Sequence, residues 1–195
     1  MSKIATFLTL ITTPSRYPML ARRMKSVLTG KTISHEDSAA KSFALCQKAG
    51  VSTQAALAEL GMACEDPQVL FAAEFESAQQ RVDTCPQQMG GPGNKALLFS
   101  LVKGTQAKTV IETGVAYGWS SLAILMAIRE IGGGRLFSSN LHYREYDGDE
   151  QYVGCAVPEE LRAMWTLVPK CDAEAIPEIL PQSGTVDLIH YDSAK

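Results

Sequence analysis

The stretch Val110-Ile-Glu-Thr-Gly-Val-Ala-Tyr-Gly-Trp-Ser-Ser121 decides the fold of this 195-residue chain. It opens with apolar and β-branched residues typical of a buried strand, continues through small residues, and leads into an apolar helix that Ser120 or Ser121 is expected to cap. Such a turn lets a ligand approach the backbone closely, and the unpaired N–H groups of the helix start favour an anionic group. The turn therefore predicts a ligand site, with Glu112, Gly114, Ala116, Gly118 and Ser120 as its candidate residues.

The spacing of this turn is E-x-G-x-A-x-G, which differs from the G-x-G-x-x-G fingerprint of dinucleotide sites. An acid at Glu112 would repel a pyrophosphate, but it suits a ligand that carries an ammonium group. A ligand with both a carboxylate and an ammonium is an amino acid, and S-adenosylmethionine is a cofactor that presents one. The spacing thus disfavours a nicotinamide-dependent oxidoreductase.

The turn resembles the first motif of class I S-adenosylmethionine-dependent methyltransferases, with Ala116 in place of the commoner middle glycine. It is most similar to small-molecule O-methyltransferases whose motif reads E-T-G-x-x-x-G-x-S. The resemblance runs from about Met89 to Lys195. It implies S-adenosylmethionine as the cofactor and methyl transfer to a small-molecule acceptor, at a hydroxyl oxygen.

Two further residues follow predicted strands at positions where the resemblance implies cofactor contacts. Asn140 ends the second strand, where the family has an acid that binds the ribose hydroxyls; asparagine can accept such a bond but supplies no charge. Asp172 follows the third strand and resembles the acid that contacts the adenine amino group. The alternative for Asp172 is a helix N-cap, which is compatible with that contact.

The fourth strand leads to the candidate catalytic residues, Asp192 and His190. Asp187 to Lys195 resembles the D-x-x-x-x-D-A-D-K motif of catechol-like O-methyltransferases, which implies that Asp192 faces the transferred methyl group. His190 is either a general base or a packed core histidine. In that family the corresponding acid binds a divalent metal, but one carboxylate does not make a magnesium site, so we predict no metal ligands.

Helical and β-rich segments alternate after residue 90, which predicts an α/β fold with a Rossmann-like, doubly wound and mostly parallel sheet of about four strands. We expect an N-terminal helical cap region at 1–90 and the cofactor-binding core at 91–195. The glycine-rich segment Cys85–Asn94 between them is either a linker or a lid over a ligand. Helices are predicted at 34–50, 52–61, 66–83, 95–102, 120–130, 158–164 and 173–180, and strands at 109–113, 135–140, 165–169 and 186–191.

Composition narrows the function classes. With 18 basic and 21 acidic residues the formal charge is −3, and 46% of residues are hydrophobic, which excludes a disordered chain and disfavours a general nucleic-acid binder. Five cysteines without close pairs indicate reduced thiols in a cytoplasmic protein. No apolar run is long enough to span a bilayer. The N-terminal segment around Phe7 and Ile11 is read either as a helix packed on its own domain or as a membrane-surface helix.

The length leads to a last expectation. The core starts near residue 95 and ends just after its fourth strand, whereas the family that it resembles continues with three more strands. An apolar fourth strand with one unpaired side is an aggregation hazard, so we expect a truncated sequence or a homo-oligomer that covers this edge. The alternative to an active enzyme is a non-catalytic, methyltransferase-like binding module.

Overall fold

The computed structural model describes residues 35–141 and 148–193, and the chain divides into two compact units, 1–50 and 51–195. The first unit contains one described helix, α1 (His35–Ala49), which ends as predicted where the Gly50 amide donates to the Cys46 carbonyl at 2.7 Å. Its expected cap, Ser34, and the N-terminal segment lie outside the described residues.

The second unit is built on a parallel sheet of four strands in the order β3-β2-β1-β4. The strands are β1 (Thr109–Thr113), β2 (Arg135–Ser139), β3 (Trp165–Val168) and β4 (Leu188–Tyr191). Each neighbouring pair is parallel, and helices connect the strands. This architecture confirms the predicted Rossmann-like α/β fold. The order also makes β1 the point where the chain turns to opposite sides of the sheet, which is where ligands bind in such folds.

Helices surround this sheet and precede it. The first of them, α2, is capped as predicted, because the Ser52 Oγ accepts a hydrogen bond from the Ala55 amide at 3.1 Å. A short 3-10 turn covers Asp149–Gln151. The helices of this unit are α2 (Thr53–Glu59), α3 (Pro67–Leu70), α4 (Ala72–Val82), α5 (Lys95–Thr105), α6 (Trp119–Glu130), α7 (Glu159–Arg162) and α8 (Asp172–Ser183).

Several predicted helix boundaries are wrong, since the helices expected to end at 102 and 180 continue to Thr105 and Ser183; two other differences have a visible structural cause. The single helix expected over 66–83 is interrupted at Phe71, whose φ of −126° and ψ of 48° leave the helical region while its ring packs edge-on against Phe99. Neither serine caps α6. Gly118, with φ +86°, is the N-cap and makes no side-chain cap bond, so the helix begins one residue earlier than expected.

The alternation of side chains along the strands gives the sheet two apolar faces. On one face Val110 and Leu136 pack with the buried side of α6. On the other face Ile111 and Phe137 pack with Ile179 of α8. Each fully buried aliphatic side chain contributes about 1.5–3 kcal/mol relative to an exposed one, so these two layers hold the strand ends in fixed positions.

Helix α4, which lies before residue 90, shares this core. Phe75, Ala78 and Val82 of α4 are buried in the same cluster as Leu122 and Leu125 of α6. The expected division near residue 90 therefore stays a prediction, while the compact unit itself starts at Val51.

Strand β4 lies at the border of the described sheet, where Ile189 and Tyr191 are 64% and 56% exposed. Across 35–141 and 148–193, none of the helices has the length and apolar character needed to cross a membrane.

Candidate functional site

A cavity of about 540 Å³ opens where the chain leaves the carboxyl ends of β1, β2 and β4. This volume falls in the range of small-molecule sites. Six of the predicted site residues line it. The lining consists of Met89–Gly93, Gly114–Ala116, Trp119, Ser120, Asn140, Leu141, Cys171, Asp172, Asp192 and Ser193.

Gly114 brings three strands together at the floor of the cavity. Its φ is +80°, a region that favours glycine, and its amide donates to the Ser139 carbonyl at 2.9 Å. A Cβ at this position would lie 2.6 Å from the Asp192 carbonyl oxygen. The absence of a side chain therefore allows the end of β4 to approach the turn closely.

The other two small residues of the turn have different roles. Ala116 lines the cavity with φ +49°, an uncommon conformation for a residue with a Cβ. Gly118 does not line it. A Cβ on Gly118 would approach the Gly154 Cα to 2.9 Å, so this glycine allows a supporting loop to pack behind the turn.

The side chain of Asn140 is hydrogen-bonded to the backbone of the turn itself. Its Oδ1 accepts hydrogen bonds from the amides of Val115 at 2.9 Å and Ala116 at 3.2 Å, and its Nδ2 donates to the Leu141 carbonyl at 3.1 Å. The resemblance implied an oxygen that accepts from ribose hydroxyls, but both acceptor positions of this oxygen are already used. Asn140 lines the cavity mainly as a clamp on the turn.

Glu112 lies inside the protein, behind the cavity wall. Its side chain is fully buried, and its Oε2 accepts hydrogen bonds from the hydroxyls of Ser121 at 2.5 Å and Ser138 at 2.8 Å. Its Oε1 has no hydrogen-bond partner within the described part of the chain. Glu112 does not itself line the cavity, and its expected contact with a ligand ammonium group stays a prediction.

The surroundings of Glu112 determine its protonation. Burial raises the pKa of its carboxyl, and the hydroxyls of Ser120, Ser121 and Ser138 and the charge of His190 lower it by smaller amounts. A raised pKa favours the neutral acid, which can donate a hydrogen bond as well as accept one. Ser120 also lines the cavity, so this buried carboxyl lies directly behind the cavity wall.

Two carboxylates line the cavity at different strand ends. Asp172 is the first residue of α8, and its Oδ1 accepts from the Ser139 hydroxyl at 2.8 Å. It is not the N-cap, which is Cys171. Asp192 follows β4 with an exposed side chain, and its amide donates to the Thr113 carbonyl at 3.0 Å. The cavity thus has an acid on each side of the glycine turn.

His190 does not line the cavity. It pairs with Glu112 in the register of β1 and β4 and is half-buried. Residues opposite each other in neighbouring strands share a face of the sheet, so His190 lies on the side of the buried carboxyl. His142, which follows β2, lies outside the described residues.

The sequence assigned no site role to Trp119, and it offered a lid over a ligand only as one of two alternatives for the segment that contains Met89–Gly93. Met89–Gly93 forms a wall of the cavity, and Trp119 lines it although its ring is 9% exposed. The run of glycines and prolines signalled an irregular loop at 85–94, and the structure has neither helix nor strand there. Whether it moves as a lid stays a prediction. Within 35–141 and 148–193, no three histidine, cysteine or acidic residues cluster in a way that could hold a metal ion.

Comparison with known proteins supports these observations. Residues 111–195 match the family described as methyltransferase domain. No curated protein sequence matches the chain. Among solved structures, the chain resembles an O-methyltransferase from Bacillus cereus in complex with SAH, with 18% identity, a TM-score of 0.47, and coverage of 62% of this chain and 54% of that one.

Two other solved structures give similar values. The SAH-bound methyltransferase PaMTH1 from Podospora anserina is 17% identical over 82% of this chain and 58% of its own, with a TM-score of 0.43. The O-methyltransferase TomG from Streptomyces achromogenes is 21% identical over 66% and 54%, with a TM-score of 0.42. The chain therefore spans about half the length of the solved structures that it matches.

The matched segment begins inside β1 and contains the glycine turn, the ends of all four strands and both cavity carboxylates. Its parallel sheet and the motif at its first turn agree with the domain match. Residues 111–195 of this chain, somewhat less than half of it, are thus similar to the methyltransferase-domain family.

Proposed function

We propose that the protein is an S-adenosylmethionine-dependent methyltransferase that transfers a methyl group to a hydroxyl oxygen of a small molecule. The observation that carries the proposal is the cavity at the carboxyl ends of β1, β2 and β4, with the glycine turn at its floor. The three solved structures described above support it, because two are named O-methyltransferases and all three contain SAH or SAM.

The residues of the turn fit an amino-acid group. Gly114 and Ala116 line the cavity without a large side chain, so a ligand can approach the backbone of the turn there. Trp119 begins α6, and the first N–H groups of a helix favour a carboxylate. The half-buried Ser120 hydroxyl lies between the cavity and the buried acid of Glu112. We assign the carboxylate and ammonium groups of the cofactor to this part of the cavity.

The opposite side of the cavity fits a nucleoside. Asp172 presents a carboxylate that can accept from the adenine amino group, and the Ser139 hydroxyl bond fixes its position. Asn140 offers at most its remaining amide N–H rather than an acceptor, because its Nδ2 already donates to the Leu141 carbonyl and its Oδ1 is occupied by the turn. We therefore assign recognition of the nucleoside mainly to Asp172 and give Asn140 a supporting role.

When bound, S-adenosylmethionine supplies an electrophilic methyl group. The chain must align the acceptor oxygen, exclude water and remove the acceptor's proton. Asp192 is the exposed carboxylate of the cavity and is proposed to accept or orient this proton. His190, the other catalytic candidate from the sequence, does not line the cavity, so we propose it as a positioning residue. It lies two positions before Asp192 on β4 and faces Glu112, so any role would act through that neighbour.

Calorimetry with S-adenosylhomocysteine tests cofactor binding directly. The unmodified protein is expected to bind, and Asp172→Asn is expected to weaken affinity by about tenfold, since it removes a charged acceptor. Asp187→Asn is a matched control, because that carboxylate accepts from the Lys108 and Thr109 amides at the other end of the sheet. Absence of binding to folded protein would rule out the proposal.

A second experiment separates transfer from binding. Asp192→Asn is expected to lower the rate of methyl transfer with little change in cofactor affinity, and His190→Gln tests the proposed second residue in the same way. Methyl-labelled S-adenosylmethionine with a panel of alcohols and phenols provides the measurement. Equal rates for Asp192→Asn and the unmodified protein would remove Asp192 from the mechanism.

The second candidate function is a binding module that holds the cofactor without transferring its methyl group. It is favoured by one observation, namely that His190, one of the two candidate catalytic residues, does not line the cavity. Cofactor binding without transfer to any acceptor of the panel would support this alternative.

Two properties of the whole protein belong to the proposal as well. The five cysteines are free, which agrees with a reducing, cytoplasmic location.

A second copy of the chain is proposed to cover β4, whose Ile189 and Tyr191 are exposed. Light scattering tests this, and a monomer at high concentration would contradict it.

A further inference from the structure

One residue of the glycine turn points away from the cavity. Tyr117 lies between Ala116 and Gly118, its ring is only 8% exposed, and it belongs to the hydrophobic cluster around α6. Because the turn is tight, Ala116 and Tyr117 face different surroundings although they are adjacent in sequence. Ala116 lines the cavity, whereas the tyrosine ring is buried behind it.

The hydroxyl of Tyr117 is hydrogen-bonded to the loop that leads into Met89–Gly93. It donates to the Gln87 carbonyl at 2.5 Å and accepts from the Met89 amide at 3.1 Å. The Cys85 thiol donates to the same carbonyl at 3.1 Å. These bonds hold the backbone where the loop leaves residue 85 and begins to line the cavity.

A steric contact lies beside the hydrogen bonds. A Cβ added to Gly90 would come within 3.0 Å of the Ala116 Cβ, so the loop crosses directly over the turn. The cavity therefore has two neighbouring walls, formed by Met89–Gly93 and by Gly114–Ala116. Tyr117 follows the second wall in sequence, and its hydroxyl is hydrogen-bonded to the first.

We infer that Tyr117 is a positioning residue that fixes Met89–Gly93 against the glycine turn and thereby couples occupancy of the cavity to the order of this loop. The inference rests on the proposed cofactor site. A ligand that fills the cavity touches both walls and is expected to stabilise the loop in the position that the hydroxyl already holds. Burial also raises the pKa of Tyr117, which keeps the hydroxyl protonated and able to donate.

The variant Tyr117→Phe removes the hydroxyl and keeps the ring in the core. Tyr152→Phe is the matched control, because Tyr152 is another partly buried tyrosine packed against the same cluster. Backbone amide exchange is followed for residues 86–93 and for β1, in the free protein and with S-adenosylhomocysteine. Calorimetry gives the affinity of each variant.

In the free protein, Tyr117→Phe is expected to speed exchange at residues 86–93 and to leave β1 unchanged. Its affinity for S-adenosylhomocysteine is expected to fall by about threefold to tenfold, because the ligand must then order the loop as well. Tyr152→Phe is expected to match the unmodified protein in both measurements.

Three outcomes would overturn the inference. Unchanged loop exchange in free Tyr117→Phe would show that the hydroxyl does not hold the loop. Faster exchange with unchanged affinity would show that the loop is not coupled to the cavity. Equal effects of Tyr152→Phe would indicate a general loss of stability. If the unmodified protein does not bind the ligand, the proposed function fails. Amide exchange of the loop in the free protein still tests whether the Tyr117 hydroxyl holds the loop.

Discussion

The side-chain oxygen of Asn140 accepts a hydrogen bond from the backbone amide of Val115 at 2.9 Å. The two residues are 25 positions apart in sequence, and the bond joins the end of β2 to the turn that follows β1. The same oxygen also accepts from the next amide, at 3.2 Å. One amide side chain thus fixes the shape of the turn that forms the floor of the cavity.

Replacing Asn140 by alanine is expected to lower the free energy of unfolding by about 2–4 kcal/mol, because two backbone N–H groups lose their partner in a largely buried place. Asn140→Asp keeps the accepting oxygen and is expected to cost less. Urea denaturation measures both. A smaller loss for alanine than for aspartate would contradict the role of this oxygen.

Glu112 gives a prediction about pH. Burial raises the pKa of its carboxyl above the ordinary value of 4.5, so the folded protein holds the proton more tightly than the unfolded chain does. The tighter binding of this proton therefore stabilises the folded protein fully at pH values below the ordinary pKa of the carboxyl. This stabilisation is lost as the pH rises through the raised pKa of the folded state. Glu112→Gln, which does not titrate, is expected to lose less stability between about pH 5 and about pH 8.

Denaturation curves of both proteins across this range provide the measurement, and the difference between the two slopes reports Glu112 together with its interaction with the charge of His190. Parallel slopes would show that the pKa of Glu112 is the same in the folded and unfolded states.

Gly114 and Gly132 form a matched pair, with φ of +80° and +86°. Alanine at either position meets the same backbone strain, about 1–2 kcal/mol. At Gly114 the new Cβ would also lie 2.6 Å from the Asp192 carbonyl, whereas nothing lies within 4 Å at Gly132. Gly114→Ala is therefore expected to cost about 1–3 kcal/mol more than Gly132→Ala. Equal losses in thermal denaturation would show that β4 does not approach the turn as described.

Ala116 adopts a conformation that glycine tolerates better, with φ +49°. Ala116→Gly is expected to raise the free energy of unfolding by about 0.5–1 kcal/mol, because relief of backbone strain exceeds the added entropy of the unfolded chain. Ala123→Gly in α6 is the control of opposite sign, since glycine inside a helix costs about 1 kcal/mol. Destabilisation by both substitutions would indicate that Ala116 is not strained.

Strand β1 and the parallel architecture could be predicted from the sequence because both depend on local patterns. An apolar, β-branched run between turn residues indicates a buried strand, and alternating strands and helices indicate parallel pairing. The break at Phe71 could not be predicted in this way. Its cause includes contact with Phe99, which lies far away in sequence.

The candidate site likewise has features that the sequence predicts and features that it does not. Gly114, Asp172 and Asp192 line the cavity because the carboxyl ends of parallel strands meet at one edge of the sheet, which the sequence implies. The orientation of Glu112 was missed, since a motif does not reveal whether a side chain faces the ligand or the neighbouring serines. Ser121 was expected to cap a helix, but its hydroxyl bonds this buried acid instead.

The close approach of the β4 end to the glycine turn also bears on how the protein folds. The amide of Asp192 and the side chain of Thr113 are joined across 79 positions of sequence. Closing so long a loop costs entropy before any contact compensates for it, and folds dominated by distant contacts form slowly. The cavity should therefore be absent from early, locally structured intermediates and should form only with the complete sheet. The rate at which the protein regains ligand binding during refolding should then report the last step of folding.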